Sequence, residues 1–442
     1  MGSRDTLPSA SLLNPDGEVI AVRTIVALLL VASAASAQEG GLPNVLQRLR
    51  AGNPTCVVCF GDSITGVYYH TGSRIAYPDL VKQGLRPLFP QAPVEVFNAG
   101  ISGNTATAGL TRIDKDVLAH KPHLVVVMYG MNDLVGTPRE TFAENLQQIL
   151  GRVRDSGAEV LLCTQNSIFP TDLGRPPERL AEFTQAIRDL GRETRTPVAD
   201  CYAEYERIRQ EDPRRWAVML MGHDIHPTLD GHRVFAQLIV EQITGTKLPV
   251  ETFTNSSPLI PRTLQKLRAG KSLKVTVVGL EGEVVKQALA AVFPEVKVAV
   301  DVRPFAAPSI PALAAQAAKL FDSTDDDLLV LGLPRQPTPL PAEQWMHCLF
   351  ELTYKSVPFS PQHRQREVVW VLPSVTNPDL SPVERDHDQL LRARAHAGDL
   401  GGVFRAAGDR RPAAEVLAAW LREQSWIGGI AHGHASPKHP NG

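Results

Sequence analysis

Four short segments carry the residue types that nucleophilic catalysis requires. In 59–65, CFGDSIT, the residues Gly61, Asp62 and Ser63 directly follow an apolar run. A serine in a tight turn between strand and helix holds its hydroxyl at a sheet edge, where backbone N–H groups of the helix start can receive an anion. In 97–105, FNAGISGNT, Gly100 and Gly103 allow close backbone approach. In 125–134, VVVMYGMNDL, a buried strand delivers Gly130, Asn132 and Asp133, and in 223–239, HDIHPTLDGHRVFAQLI, His226 and Pro227 precede a helix. Taken singly, each segment reads equally as turn chemistry or a helix cap. A serine hydroxyl is a poor nucleophile at neutral pH, so the chemistry needs an imidazole beside it to accept its proton.

The elements that must position these residues follow from patterning. Short β-branched runs at Cys56–Phe60, Val94–Asn98, Leu124–Tyr129 and Val160–Thr164 alternate with helical patterns at Tyr77–Leu88, Glu140–Asp155 and Glu178–Glu193. Such alternation predicts an α/β fold in three layers, α/β/α, with a parallel sheet covered by helices on both faces. In these sheets, sites collect at the carboxyl ends of the strands, where the first three segments fall.

In their order and spacing, the four segments resemble the blocks of the SGNH (GDSL-type) hydrolase family over roughly Asn53–Thr246. The resemblance implies a flavodoxin-like fold and a serine esterase or lipase without a cofactor. It further implies Ser63 as nucleophile, His226 as general base, and an oxyanion hole made by the N–H of Ser63, the N–H of Gly103 and the side-chain amide of Asn132. One departure stands out. The family places an aspartate three residues before the histidine, but here that position is His223 and the acid is Asp224. Asp224 reaches His226 through a local turn, or the site runs as a Ser-His dyad oriented by a carbonyl or a more distant acid, or activity is weakened.

Other candidates have weaker signals. His223, His226 and His232, and the tail residues His432, His434 and His439, lack the Cys or carboxylate spacing of a metal site, so no metal is expected. His120 and His123 bracket a helix-to-strand loop. Tyr68, Tyr69 and His70 follow the serine and could line a pocket. Cys56 and Cys59, three apart on a strand, point to opposite faces and should not bond to each other.

The 45 basic residues nearly balance the 47 acidic ones in 442, which gives no reason to expect nucleic acid or an anionic membrane as a partner. Arg23, the apolar run Thr24–Ala32 and the small residues Ala35–Ala37 read as a signal peptide cleaved after Ala37, hence a secreted or periplasmic protein. The run is too short to span a bilayer. A misassigned start, with Val22 as the true one, would explain the residues before Arg23.

The second half contains an internal repeat. Val81–Pro90, VKQGLRPLFP, matches Val285–Pro294, VKQALAAVFP, and the same offset of 204 carries Leu124–Gly130 onto Leu328–Pro334. The alignment sets Glu281 opposite Ser63, Ala307 opposite Gly103, Gln336 opposite Asn132 and the GDRRP segment around Asp409 opposite His226 and Pro227. The expected organisation is therefore a leader at 1–37, a catalytic domain at 38–250, a degenerate non-catalytic copy at 263–428, and a disordered tail at 429–442, with a linker across Lys247–Arg262. The expected substrate is a small acyl ester, such as the acetyl group of an extracellular carbohydrate. A lysophospholipase, arylesterase or thioesterase would use the same residues, and an inactive carbohydrate-binding or scaffold protein is the alternative from another class.

Overall fold

The computed structural model describes residues 41–170, 174–217, 221–222, 225–255, 257–305, 308–322, 325–361 and 366–430. The leader at 1–37, His223, Asp224, Ala307 and the tail histidines lie outside them. Among the described residues, ten strands form two all-parallel sheets. The first comprises β1 (Thr55–Gly61), β2 (Val94–Gly100), β3 (Leu124–Met128), β4 (Glu159–Cys163) and β5 (Val198–Ala199), in the order β2-β1-β3-β4-β5. The second comprises β6 (Leu273–Val278), β7 (Val298–Arg303), β8 (Leu328–Gly332), β9 (Glu367–Val371) and β10 (Gly401–Val403), in the order β7-β6-β8-β9-β10. Taken in chain order, the two sheets have one topology. The central strands β3 and β8 are buried throughout, as parallel strands covered on both faces must be, and this explains their unbroken apolar sequences.

Helices of eight residues or more cover the sheets: in the first half α1 (Pro43–Arg50), α2 (Tyr77–Leu88), α3 (Ala106–Asp116), α4 (Arg139–Asp155), α5 (Pro177–Thr194), α6 (Cys201–Glu211) and α7 (Leu229–Thr244), and in the second α8 (Pro261–Arg268), α9 (Gly282–Ala290), α10 (Ala342–Ser356), α11 (Pro382–Ala397) and α12 (Ala413–Ile430). The expected elements appear within one or two residues, and α2 falls on Tyr77–Leu88 itself. All five cysteines are free thiols, Cys56 half-buried and the others buried.

The repeat extends further than the first-read segments. Helix α1 and its following turn, PNVLQRLRAG at 43–52, correspond to PRTLQKLRAG at 261–270 around α8. A carboxylate from the fourth strand of each sheet caps that helix. Glu159 accepts the N–H groups of Asn44 and Val45 at 3.1 and 2.8 Å, and Glu367 accepts those of Arg262 and Thr263 at 2.9 and 2.8 Å. Both acids thus satisfy donors that a helix start leaves open and favour its positive end.

The halves differ sharply in the connection after their first strand. Residues 62–76 join β1 to α2, whereas 279–281 suffice between β6 and α9. The longer connection leans onto the second half: Tyr69 N–H donates to the Phe359 carbonyl at 3.0 Å, Ser73 Oγ to the Pro358 carbonyl, and Arg74 pairs with Asp399 at 3.4 Å. The segment read as a linker is anchored as well. Phe253 is fully buried, and its carbonyl accepts from Arg233 Nε at 2.8 Å.

Candidate active site

At the carboxyl edge of the first sheet the register sets Gly61 beside both Gly100 and Met128. The segments after β1, β2 and β3 therefore leave the sheet at one level. Glycine is required at both positions: an added Cβ would stand 2.5 Å from the Met128 carbonyl at Gly61, and 2.3 Å from the Gly66 nitrogen at Gly100. Gly103 needs glycine for another reason. Its φ is +75° and an added Cβ would meet nothing within 4 Å, so left-handed backbone, not the crowding expected there, sets the residue.

Ser63 sits in a turn closed by the N–H groups of Thr65 and Gly66 on the Asp62 carbonyl, at 3.2 and 3.1 Å. The expected helix start directly after the serine is absent; a 3-10 turn at Tyr69–Thr71 comes first and α2 begins only at Tyr77. The groups available to an anion are thus turn and loop N–H groups. Neither the Ser63 nor the Gly103 N–H donates to a protein acceptor among the described residues.

His226 approaches from the other end of this half, with Nε2 2.8 Å from Ser63 Oγ. Its segment is fixed by Gly222 N–H donating to the His226 carbonyl at 2.7 Å and by Asn166 Nδ2 donating to the Ile225 carbonyl at 3.0 Å. The His70 ring stacks on the His226 ring, 4.7 Å between centroids and 11° from parallel. His70 is held by two carbonyls, with Nδ1 3.1 Å from Pro227 O and Nε2 3.3 Å from Ser63 O. Tyr69 Oη lies 3.4 Å from His226 Nδ1.

Asn132 follows β3 on the same edge. Its Nδ2 donates to the Asn104 carbonyl at 3.0 Å and faces Asp62 Oδ2 at 3.3 Å, while Arg175 Nη2 faces its Oδ1 at 3.5 Å. An amide held at both ends presents a fixed N–H direction. Next to it, Asp133 Oδ1 accepts the Ala106 N–H at 2.9 Å, which ties the start of α3, and with it the Gly103 loop, to the end of β3.

Burial dominates the electrostatics. It pushes the Asp62 carboxyl up to about 7, against the Ile64 N–H that favours the anion, and pushes Asp133 up to about 6. Asp62 is thus neutral or nearly so at mildly acidic pH, beside the Asn132 amide. Burial, then the neighbouring His70, lowers the pKa of His232. Its Nδ1 accepts the Tyr77 N–H at 3.0 Å, and the His70 ring stacks between it and His226. Of the three histidines weighed together as metal ligands, His226 and His232 thus hold different partners, and His223 lies outside the described residues.

One residue of this site went unread in the sequence. Arg112 donates to the Gly61 carbonyl at 2.9 Å, to Tyr129 Oη at 2.8 Å and to Asn104 Oδ1 at 2.8 Å, so one guanidinium joins all three strand ends. No motif marks it. Tyr69 and His70 had a usable signal, since they lie on the connection that the second half lacks. A cavity of about 860 Å³ between the halves is lined by Arg74, Asn255, Arg262, Glu367 and Asp399, among others, but by neither Ser63 nor His226.

The family model for the GDSL-like lipase/acylhydrolase family matches residues 59–234, the span holding all these groups. This part of the chain belongs to that family. The GDSL domain makes the protein a carboxylic ester hydrolase. It is similar to the thioesterase 1/protease 1/lysophospholipase L1 of Escherichia coli K12, 29% identical over 201 residues, 45% of this chain and 88% of that protein. The acetylxylan esterase of Geobacillus stearothermophilus is 22% identical over 170 residues, 36% of this chain and 76% of that one. Among solved structures, the lipase/acylhydrolase of Enterococcus faecalis aligns with a TM-score of 0.38 at 28% identity, covering 44% of this chain and 99% of its own. Among the described residues, no helix of the GDSL domain or of the second half is long and apolar enough to cross a membrane.

Proposed function

We propose that the protein is an exported serine esterase that removes small acyl groups, acetyl foremost, from carbohydrate through an acyl-enzyme on Ser63. The observation that carries the mechanism is the 2.8 Å contact between Ser63 Oγ and His226 Nε2. His226 Nε2 takes the hydroxyl proton as Oγ attacks the ester carbonyl. The resulting oxyanion receives the N–H groups of Ser63 and Gly103 and the Asn132 amide. Collapse expels the alcohol, which takes the proton back from His226. Water, deprotonated by the same imidazole, then releases the acid and restores Ser63.

Acetylated carbohydrate is supported by the acetylxylan esterase relative and by the signal-like leader at 1–37. A longer acyl chain is the second reading, favoured by Ile101 and Val135, which stand 41% and 51% exposed on the loop that carries Gly103 and on the short helix after Asn132. In the same reading, the domains run 38–250 and 263–428, the second without catalysis. The test is a panel of acetyl, longer acyl, aryl and thio esters and acetylated polysaccharide, with Ser63→Ala as control. Turnover confined to acetyl esters is expected. A preference for long-chain or thioesters would replace the acetyl reading, and failure of a fluorophosphonate to label Ser63 would remove the enzyme mechanism altogether.

A further inference from the structure

The catalytic histidine is approached from two sides, and one of them belongs to the other half of the chain. Tyr69, 5% exposed, packs into the apolar core of the second half. Its ring centroid lies 4.9 Å from Tyr354, 6.0 Å from Phe359 and 6.2 Å from Phe350, and its N–H donates to the Phe359 carbonyl at 3.0 Å. The hydroxyl at the far end of that ring lies 3.4 Å from His226 Nδ1. A second contact reaches the same segment through its backbone. Arg394 of α11, only 2% exposed, donates from Nη2 to the Gly222 carbonyl at 3.3 Å, and the Gly222 N–H in turn holds the His226 carbonyl at 2.7 Å.

We propose that the second half serves the reaction by orienting His226, with Tyr69 and Arg394 as its positioning residues. The idea rests on His226 acting as the base for Ser63. An imidazole can accept the serine proton at Nε2 only in the tautomer that carries hydrogen on Nδ1. In that tautomer the Nδ1–H donates to the Tyr69 oxygen, which holds the ring for proton transfer at Nε2. That oxygen also favours the imidazolium formed during attack, more weakly than a carboxylate because it has no full charge. His70 restrains one face of the ring, while Tyr69, also of the first half but seated in the second half's apolar core, sets the Nδ1 edge. The long connection at 62–76 is the device that carries Tyr69 across; the second half, with 279–281 in its place, has no equivalent.

The experiment compares the full chain with Tyr69→Phe, which keeps the ring and loses the hydroxyl. Expected is a fall in kcat of about 10-fold with KM unchanged, and a move of the acid limb of the kcat/KM profile to lower pH, because the imidazolium loses an acceptor. Arg394→Met should reduce kcat in the same sense, and Arg394→Lys should restore part of it; fluorophosphonate labelling of Ser63 should slow in proportion. Should Arg394→Met fail to fold, Tyr69→Phe with its melting temperature decides alone. Wild-type kcat and an unmoved limb in Tyr69→Phe would overturn the proposal, and a large loss in Asp224→Ala beside it would give the orienting role to that carboxylate. If wild-type Ser63 does not label at all, the nucleophile assignment fails first, and the orienting role falls with it.

Discussion

Glu159 and Glu367 do the same work in the two halves of this chain, whereas Ser63 and Glu281, which occupy matching places after β1 and β6, do not. Each glutamate secures the helix that precedes its sheet. The loops at the sheet edge differ around that frame. A second pair shows how divergence proceeds: Asp133 accepts the N–H of Ala106, and Gln336 accepts that of Ile310 at 3.2 Å, two helix starts 204 residues apart. The latch between strand end and helix survives with an amide in place of the acid, shifted by one residue. Architecture and the proposed chemistry are therefore separable here, with the proposed site placed on loops at the sheet edge.

The comparison breaks most sharply at the nucleophile. Ser63→Ala should reduce kcat by about 10⁴-fold or more, while Glu281→Ser should create no activity in that background, because the Gln336 amide is committed to Thr338 and the Asp409 segment has no histidine to act as base; esterase turnover in Ser63→Ala/Glu281→Ser would show that the second half is catalytic after all. Next in size is the Asn132 amide. Asn132→Ala should cost about 10²- to 10³-fold in kcat, and Gln336→Ala nothing in kcat. Near-wild-type turnover in Asn132→Ala would remove it from the oxyanion site.

Asp62 gives a pH-dependent contrast, since the second half has Leu280 at the matching place. Its folded carboxyl titrates at about 7, raised by burial from the ordinary carboxylate range, so the folded state holds the proton more tightly than the unfolded chain. Stability from this group is fully present below the ordinary carboxylate pKa and is lost as pH rises toward about 7. Asp62→Asn should flatten that fall, seen as melting temperatures that change less between pH 4 and 7 than in the wild type; an unchanged slope would count against the shift. The smallest effects are expected at the paired helix caps. Glu159→Ala and Glu367→Ala should each destabilise by about 1–2 kcal/mol in denaturant melts, with kcat unchanged in Glu367→Ala. A loss in only one of them would mean the clamps are not equivalent.

The alternation of β-branched runs with amphipathic stretches made the parallel sheet legible, and β3 and β8 could be matched residue for residue because buried parallel strands leave little freedom of composition. The meeting of Ser63 with His226 was legible only through the order of the four segments, since 163 residues separate the partners. Arg112 was not legible at all: an arginine on a helix reads as a solvated charge until three strand ends are seen to converge on it. Tyr69 was hidden for a related reason. Its position on a loop beside the serine suggested a pocket wall, while its partners Phe350, Tyr354 and Phe359 lie nearly three hundred residues away. The expectation of a plain linker missed Phe253 because one aromatic in a polar, proline-containing stretch has no periodicity to reveal its burial.

That phenylalanine bears on how the molecule can be taken apart. Its ring lies so close over Gly84 of α2 that a Cβ there would stand 2.5 Å from Cε1. The stretch between the halves is thus wedged into the first core before it turns to the second, and it leaves little slack for the halves to hinge. Excision at residue 250 would unplug that core as well as remove its neighbour, and mixing the two pieces in trans would have to rebuild the plug along with the interface.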